Sequence, residues 1–348
     1  MKPLILLFVL CLALTVGYSR AGQVNAFIYH RFDENRYPST NIPADIFRQQ
    51  LEYLKNNKIQ MISLGQVAAL LSENRDLPAH AAALCVDDAY RSFYDVAMPI
   101  LREYGYPITL FVNTDAVGTS GYLTWSEIAE LAAEGVEIGN HTASHAYLVE
   151  RETGETNQQW LERVRQDILK AQQAFEQHLG VTPKLFAYPY GEYSSPIVEL
   201  IVSFGFQAAF AQQSGVIHPG HHRFILPRFP MGGPFATVEG FSSKLHMKAL
   251  VARQENPFDP VVDQNPPVLS LDLGQVVDPK RFNCFVQGEN QCHVETDSGK
   301  GEGWYRVVAD QQLTGRRNKY TLTLQTGQGD WLWYSHPWIN ASYPGGAE

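Results

Sequence analysis

The feature that most constrains this 348-residue chain is an alternation of short apolar runs with longer segments of helical periodicity, from Val24 to about Arg228. Short strands separated by helices are typical of parallel sheets, because a parallel connection needs a crossover helix. The pattern predicts an α/β fold, an irregular (β/α) barrel whose chemistry gathers where the strands end. Its strands are predicted at 25–29, 60–63, 83–86, 108–112, 136–139, 185–188, 208–211 and 224–226, and its helices at 44–55, 92–104, 126–134, 160–179 and 196–204.

A different pattern follows a last predicted helix near 238–252. The segment 253–267 is rich in proline, which interrupts helices and sheets, and it predicts a linker. Beyond it, apolar and polar residues alternate, which predicts a small antiparallel β domain over 268–348. Its strands are predicted at 268–273, 282–287, 304–308, 320–325 and 330–334.

Three cysteines lie outside the N-terminal apolar run. Cys284 and Cys292 flank residues 287–290, which are compatible with a hairpin turn, so the two are predicted to form a disulfide. Cys85 ends an apolar run and is predicted to be a small buried hydrophobe rather than a reactive thiol.

The chain opens with a short apolar run, 4–16, behind a single positive charge and before small residues at 19 and 21. This arrangement predicts a signal peptide over 1–21, which leaves 22–252 for the barrel. The run is shorter than the roughly 20 residues of a spanning helix, so we expect no stable membrane span after cleavage. The predicted location is therefore periplasmic or secreted. The formal net charge of −9 argues against a nucleic-acid partner, because phosphates would be repelled.

Two adjacent carboxylates, Asp87 and Asp88, stand where the predicted strand 83–86 stops. Such a pair alone is often solvated, or caps the next helix. Two histidines, His141 and His145, follow the strand at 136–139, and on a helical turn this spacing lets both imidazoles face one way.

Two histidines and one aspartate form a three-ligand set that leaves a coordination position open for water, as in catalytic zinc sites. The second aspartate can then take the proton of that water as general base. Spacing alone leaves open whether Asp87 or Asp88 is the metal ligand.

A third motif, Phe186-Ala187-Tyr188-Pro189-Tyr190-Gly191, ends another strand in a turn with aromatic residues. Backbone N–H groups of such a turn can stabilise the oxyanion of an attacked carbonyl, and the rings offer flat surfaces for sugars. The alternative interpretation is an ordinary aromatic turn packed on the barrel rim.

Together these motifs resemble those of the polysaccharide deacetylase family, the NodB-homology domain of carbohydrate esterase family 4. The family's T-F-D-D-G resembles residues 85–89, its H-[ST]-x-x-H residues 141–145, and its R-P-P-Y-G residues 187–191, within a resemblance over about 24–230. The resemblance implies a catalytic base, a divalent metal, most simply Zn²⁺, and an oxyanion donor. These roles fall on Asp87 as base, on Asp88, His141 and His145 as metal ligands, and on the Tyr190 N–H as donor.

The sequence departs from the family at two functional positions. Ala187 stands where many members carry an arginine that orients the base, and Arg228 is a candidate substitute at another strand end. The family's late L-x-H motif is also absent after Arg228. Ile28-Tyr29-His30 ends the first strand in that form, as in members with a rearranged order, which makes His30 the candidate general acid.

We therefore expect hydrolysis of N-acetyl groups on an extracytoplasmic amino-sugar polymer, with release of acetate. One alternative is a non-catalytic carbohydrate-binding protein on the same barrel, suggested by Ala187 and the displaced general acid. A second is a glycosidase that uses Asp87 or Asp88 with Glu137 or Glu192.

Overall fold

The computed structural model describes residues 22–286 and 291–343. The predicted signal peptide, 1–21, and the predicted turn at 287–290 lie outside the described residues. Within the described ranges, no helix is both long and apolar enough to cross a membrane.

The barrel is a curled parallel sheet with helices packed around it, as predicted. Its longest strands are buried along their whole length, as expected when both faces of a parallel sheet are covered. In spatial order the strands are Phe229–Pro230, Val24–Tyr29, Ala81–Asp87, Ile108–Val112, Glu137–Asn140, Leu185–Ala187 and Ala208–Phe210, and Gln60–Met61 also pairs with Ala81–Asp87. The helices are Ala44–Asn56, Leu64–Ser72, Met98–Tyr104 after a π-helical turn at Phe93–Ala97, Trp125–Ala133, Asn157–Leu179, Ser195–Ser203 and Val238–Leu245.

The barrel closes through an irregular segment rather than through the regular strand predicted at 224–226. Leu226 forms a single bridge to Phe210, and the chain then crosses to Phe229–Pro230, which pairs with Val24–Tyr29. Proline at 227 and 230 explains the irregularity, because proline has no N–H to donate to a ladder. The crossing places Arg228 inside the barrel, fully buried.

The C-terminal part forms two four-stranded sheets. One contains Lys248–Ala249, Trp331–Ile339, Arg317–Gln325 and Phe282–Val286, and the other contains Gln254–Asn256, Val268–Asp272, Trp304–Ala309 and Cys292–Thr296. The inward-facing side chains of both sheets form a separate apolar core that includes Leu271, Val307, Leu322 and Trp338. The disulfide Cys284–Cys292 is present, with 5.5 Å between the Cα atoms.

Two predictions near the domain junction were wrong in detail. The helix predicted to reach 252 ends at Leu245, and Lys248–Ala249 instead pairs with Leu332 and Trp333 of the last strand. The segment predicted as a linker contains the strand Gln254–Asn256. Pairing with distant strands overrides the local preference of both segments. The domain boundaries themselves stay a prediction.

The β domain packs on the barrel beside the carboxyl ends of the barrel strands. Trp333 Nε1 donates a hydrogen bond of 3.0 Å to the Ser214 carbonyl, and its ring centroid lies 5.6 Å from that of Phe229. Arg316 forms a buried ion pair with Glu192, at 2.8 Å and 2.9 Å. The two domains therefore meet at the end of the barrel where chemistry was expected.

Candidate active site

Asp87 and Asp88 occupy the sharp turn that ends the central strand Ala81–Asp87. Asp87 is the last residue of the strand and is fully buried. Asp88 and Ala89 then adopt positive φ angles of 76° and 56°. A non-glycine residue in this region costs roughly 1–3 kcal/mol, a strain that is concentrated at functional sites in proteins. The turn aims the two carboxylates in different directions.

Asp87 is held by a buried guanidinium. Arg228 Nη1 donates to Asp87 Oδ1 at 2.7 Å and Nη2 donates to Oδ2 at 2.9 Å, while Nε donates to the Ala211 carbonyl. Burial alone would raise the pKa of Asp87, but Arg228 and then His141 outweigh burial and hold this pKa below its usual value. Asp87 is therefore a pre-oriented, ionised carboxylate. The Arg228 guanidinium thus contacts Asp87 from the closing segment of the barrel, and not from the strand that ends at Ala187.

Cys85 lies behind this ion pair, buried as the sequence predicted. Arg228 Nη1 approaches its sulfur at 3.5 Å. Burial raises the pKa of the Cys85 thiol to about 12, so the sulfur stays protonated and does not compete with Asp87 for the guanidinium.

Asp88 faces the two histidines. Asp88 Oδ1 lies 3.1 Å from His145 Nε2 and 3.4 Å from His141 Nε2, and the three ligand atoms lie within 4.8 Å of one another. Burial alone would raise the pKa of Asp88, but the two imidazoles hold it well below its usual range. Among the described residues, Asp88 Oδ1 is a buried oxygen without a hydrogen-bond partner of good geometry.

The His141 ring is oriented by a backbone carbonyl. His141 Nδ1 lies 2.8 Å from the Ala187 carbonyl, which can only accept, so Nδ1 carries a proton and Nε2 is the ring nitrogen that faces Asp88. The segment is not the helical turn predicted, because Thr142 and His145 have φ angles of 65° and 56°. The Thr142 hydroxyl accepts from the His145 N–H at 3.0 Å and stabilises this irregular loop. A buried carboxylate oxygen and two imidazole Nε2 atoms that face it form a group that could hold a divalent cation.

Tyr190 occupies the turn after the strand Leu185–Ala187. Its φ of 58° is left-handed, and the following Gly191 has a φ of 72°. A Cβ atom on Gly191 would lie 2.6 Å from the Gln212 backbone nitrogen, so the turn requires glycine there. The Tyr190 ring stacks on Tyr147 with centroids 3.8 Å apart and meets the edge of His145 at 4.5 Å.

These groups open on one cavity of about 330 Å³. It is lined by His30, Asp88, His145 and Tyr190, and also by Gln212 and Arg317, which sequence reasoning missed. Asp87 and His141 do not line this cavity but adjoin it. His141 Nε2 lies 3.4 Å from Asp88 Oδ1, which lines the cavity, and 3.8 Å from Asp87 Oδ2. The structure therefore brings together the residues that the sequence analysis selected at strand ends.

Residues 74–209 match the sequence profile of the family described as polysaccharide deacetylase. The barrel therefore contains a polysaccharide deacetylase domain over these residues. A curated poly-β-1,6-N-acetyl-D-glucosamine N-deacetylase of Escherichia coli (strain K12) is 26% identical over 218 residues, which cover 53% of this chain. The match spans 32% of that relative, about a third of its length.

Solved structures of deacetylase domains share the fold. The Streptococcus pyogenes deacetylase PplD, in complex with acetate, aligns with a TM-score of 0.57 and 20% identity over 64% of this chain and 98% of its own. IcaB from Ammonifex degensii aligns with a TM-score of 0.56 and 23% identity over 65% of this chain and 98% of its own. The irregular barrel is thus the deacetylase barrel, and the C-terminal sheets are an addition to it.

Proposed function

We propose that this protein is a metal-dependent polysaccharide N-deacetylase that removes N-acetyl groups from an extracytoplasmic amino-sugar polymer and releases acetate. The observation that supports it best is the buried, ionised Asp87 beside the Asp88–His141–His145 group, at the base of a cavity that also contains His30 and Tyr190. Export is proposed from the N-terminal sequence. The substrate class is proposed from the name of the Escherichia coli relative.

Each residue has a task in the proposed reaction. A divalent cation held by Asp88, His141 and His145, with zinc favoured by these ligands, would supply a Lewis acid for the amide carbonyl and lower the pKa of water. Asp87 accepts the proton of the attacking water, and Arg228 keeps it ionised and oriented. As the new C–O bond forms, the Tyr190 N–H donates to the oxyanion. His30 protonates the amide nitrogen as the C–N bond breaks, which leaves acetate and a free sugar amine.

A glycosidase mechanism is disfavoured by the positions of its two proposed acids. Glu192 is 1% exposed and paired with Arg316. Glu137 begins its strand, at the opposite end of the barrel from Asp87, and accepts from the Gly65 N–H and the Thr109 hydroxyl. Neither Glu137 nor Glu192 lines the cavity that Asp88 and His30 line.

A purely carbohydrate-binding role is disfavoured by the two positions that suggested it. Arg228 supplies in space the guanidinium that Ala187 lacks, and His30 lines the cavity from the first strand. A binding protein would not need an oriented base beside a metal-ligand set.

The test is acetate release from N-acetylglucosamine oligomers, β-1,6-linked and β-1,4-linked, by the protein from Gly22 onward, with and without chelator. We expect release that chelator abolishes and added Zn²⁺ restores, and that Asp87→Asn lowers by at least about 100-fold. Asp115→Asn is the matched control, because Asp115 is an exposed carboxylate paired with Lys170. Release that persists in chelator, or in folded Asp87→Asn protein, would reject the proposed function.

A further inference from the structure

The β domain reaches the Tyr190 turn through two consecutive arginines at the start of one strand. Arg316 is bound in bidentate fashion to Glu192, the residue that follows the turn, and both side chains are buried. Arg317 Nη1 donates to the Tyr190 carbonyl at 3.4 Å. The backbone of the turn is therefore contacted on its exposed side by a different domain.

The same two arginines contact the aromatic residues that surround a metal ligand. The Arg316 guanidinium lies 4.4 Å from the centre of the Tyr147 ring, and that of Arg317 lies 5.3 Å from the centre of the Tyr190 ring. Those rings stack on each other, and Tyr190 contacts the edge of His145. Cations over aromatic faces are attracted by the ring quadrupole, so both contacts favour the observed ring positions.

Arg317 also faces the space where substrate would bind. It lines the active-site cavity and a neighbouring cavity of about 220 Å³ that extends along the β domain past Asn318 and Lys319. The two cavities share Tyr190, Gln212, Pro230 and Arg317, so they are direct neighbours on the two sides of these residues.

We propose that the β domain is part of the active site and that Arg317 is a positioning residue for the Tyr190 turn. A left-handed tyrosine persists only where its surroundings compensate for the strain. Arg317 supplies a charged donor to the carbonyl of that residue and a cation beside its ring. The assignment of a catalytic task to the turn rests on the proposed function, but the positioning role itself does not.

Hydrogen exchange in the full chain tests the positioning role without substrate. In the turn, the Gly191 N–H donates to the Tyr188 carbonyl at 2.8 Å, and the Glu192 N–H donates to the Pro189 carbonyl at 3.1 Å. We expect Arg317→Ala to speed exchange of these amides by about tenfold, and Arg317→Lys to have a smaller effect. Arg306→Ala is the control, because Arg306 is an exposed arginine of the same domain, paired with Glu295. Equal exchange in Arg317→Ala and Arg306→Ala would overturn the proposal.

Kinetics give a second, separable readout. A donor that acts on the oxyanion contributes in the transition state, so Arg317→Ala should lower kcat by about 10-fold to 100-fold and change KM less than about threefold. A raised KM with unchanged kcat would make Arg317 a substrate contact and overturn the positioning role. Wild-type protein that releases no acetate from any N-acetylated polymer would reject the proposed function, whereas the exchange data would still decide the role of Arg317.

Discussion

At the level of single residues, Asp87 depends on a partner 141 positions away in the chain. Arg228 is fully buried, and its guanidinium meets both carboxylate oxygens. Because a buried ion pair is stable only when both charges are present, each residue fixes the charge state of the other. Arg228 enters the barrel from the irregular closing segment. Ala187 has no side chain that could reach Asp87, and its carbonyl accepts a hydrogen bond from His141 Nδ1.

Arg228→Lys should lower the activity and should also shift its dependence on pH. Lysine keeps the charge but loses the two-point geometry, so we expect kcat/KM to fall by about 10-fold to 100-fold. The pKa of Asp87 should rise towards its usual value, and since the base must be ionised, the acidic limb of the pH–rate profile should move to higher pH. Arg102→Lys, at an exposed pair with Glu134, is the control. An unmoved acidic limb in Arg228→Lys would contradict this account of Asp87.

His30→Gln tests the proposed general acid. His30 lines the same cavity as Asp88 and His145, and glutamine keeps a polar side chain of similar length without a proton to transfer at neutral pH. We expect kcat to fall by about 100-fold while zinc affinity, measured by competition with a chelating dye, stays within about threefold. On a substrate with a better leaving group, the fall in kcat of the variant relative to wild type should be smaller. Equal losses on both substrates would assign His30 a binding role only.

At the level of elements, prediction succeeded where burial alone decides the structure. The strand Ile108–Val112 was predicted with its observed bounds, because a five-residue apolar run between turn signals leaves one arrangement in a covered parallel sheet. The helix Leu64–Ser72 was missed, although Ser63 and Gln66 form a capping box that the sequence displays. The strand Lys248–Ala249 could not be predicted locally, because its pairing partner lies more than 80 residues later.

The turn Pro189–Gly191 should be sensitive to the addition of a single methyl group. Gly191→Ala would place a Cβ against the Gln212 backbone, in a left-handed conformation that alanine disfavours. We expect at least about 2 kcal/mol lower stability and a larger proportional loss of acetate release than of zinc binding. Gly180→Ala provides the matched control, since Gly180 also has positive φ but open space around its Cβ. If the two variants lost equal activity, backbone strain alone would explain the effect.

At the level of the whole molecule, the domain interface contains histidines kept neutral by burial. His218, His221 and His222 lie in a cavity of about 370 Å³ between the barrel and the β domain. Burial lowers the pKa of His218 to about 4 and lowers the pKa of His221 as well. In the unfolded chain these groups would bind protons near pH 6.5.

The free energy of unfolding should therefore decrease as the pH falls from about 6.5 to about 4. Because the unfolded state binds more protons, the contribution of His218 is present above about pH 6.5 and is lost as pH falls towards 4. We expect a loss of roughly 1–3 kcal/mol from this residue, visible as a lower Tm. His218→Asn should flatten the dependence, whereas His293→Asn, at an exposed position, should not. Parallel pH curves for wild type and His218→Asn would contradict the interface assignment.

The sequence predicted which residues would meet at the strand ends, but not the contacts that the β domain makes with them. Asp87, Asp88, His141 and His145 follow strands whose ends must meet in a parallel barrel, so their proximity follows from the pattern. The contact of Arg317 with Tyr190 joins residues 127 positions apart in different domains, and no periodicity encodes how two domains dock.

The buried pair of Glu192 and Arg316 also has a consequence for the order of events during synthesis. The barrel residues leave the ribosome first, and until residue 316 has been made, Glu192 has no guanidinium to neutralise it. A carboxylate buried there without a partner is unfavourable, so before residue 316 docks the Pro189–Gly191 turn should favour conformations that leave Glu192 exposed to water. The turn should therefore reach its observed geometry only after the segment that carries Arg316 has been translated and has docked on the barrel.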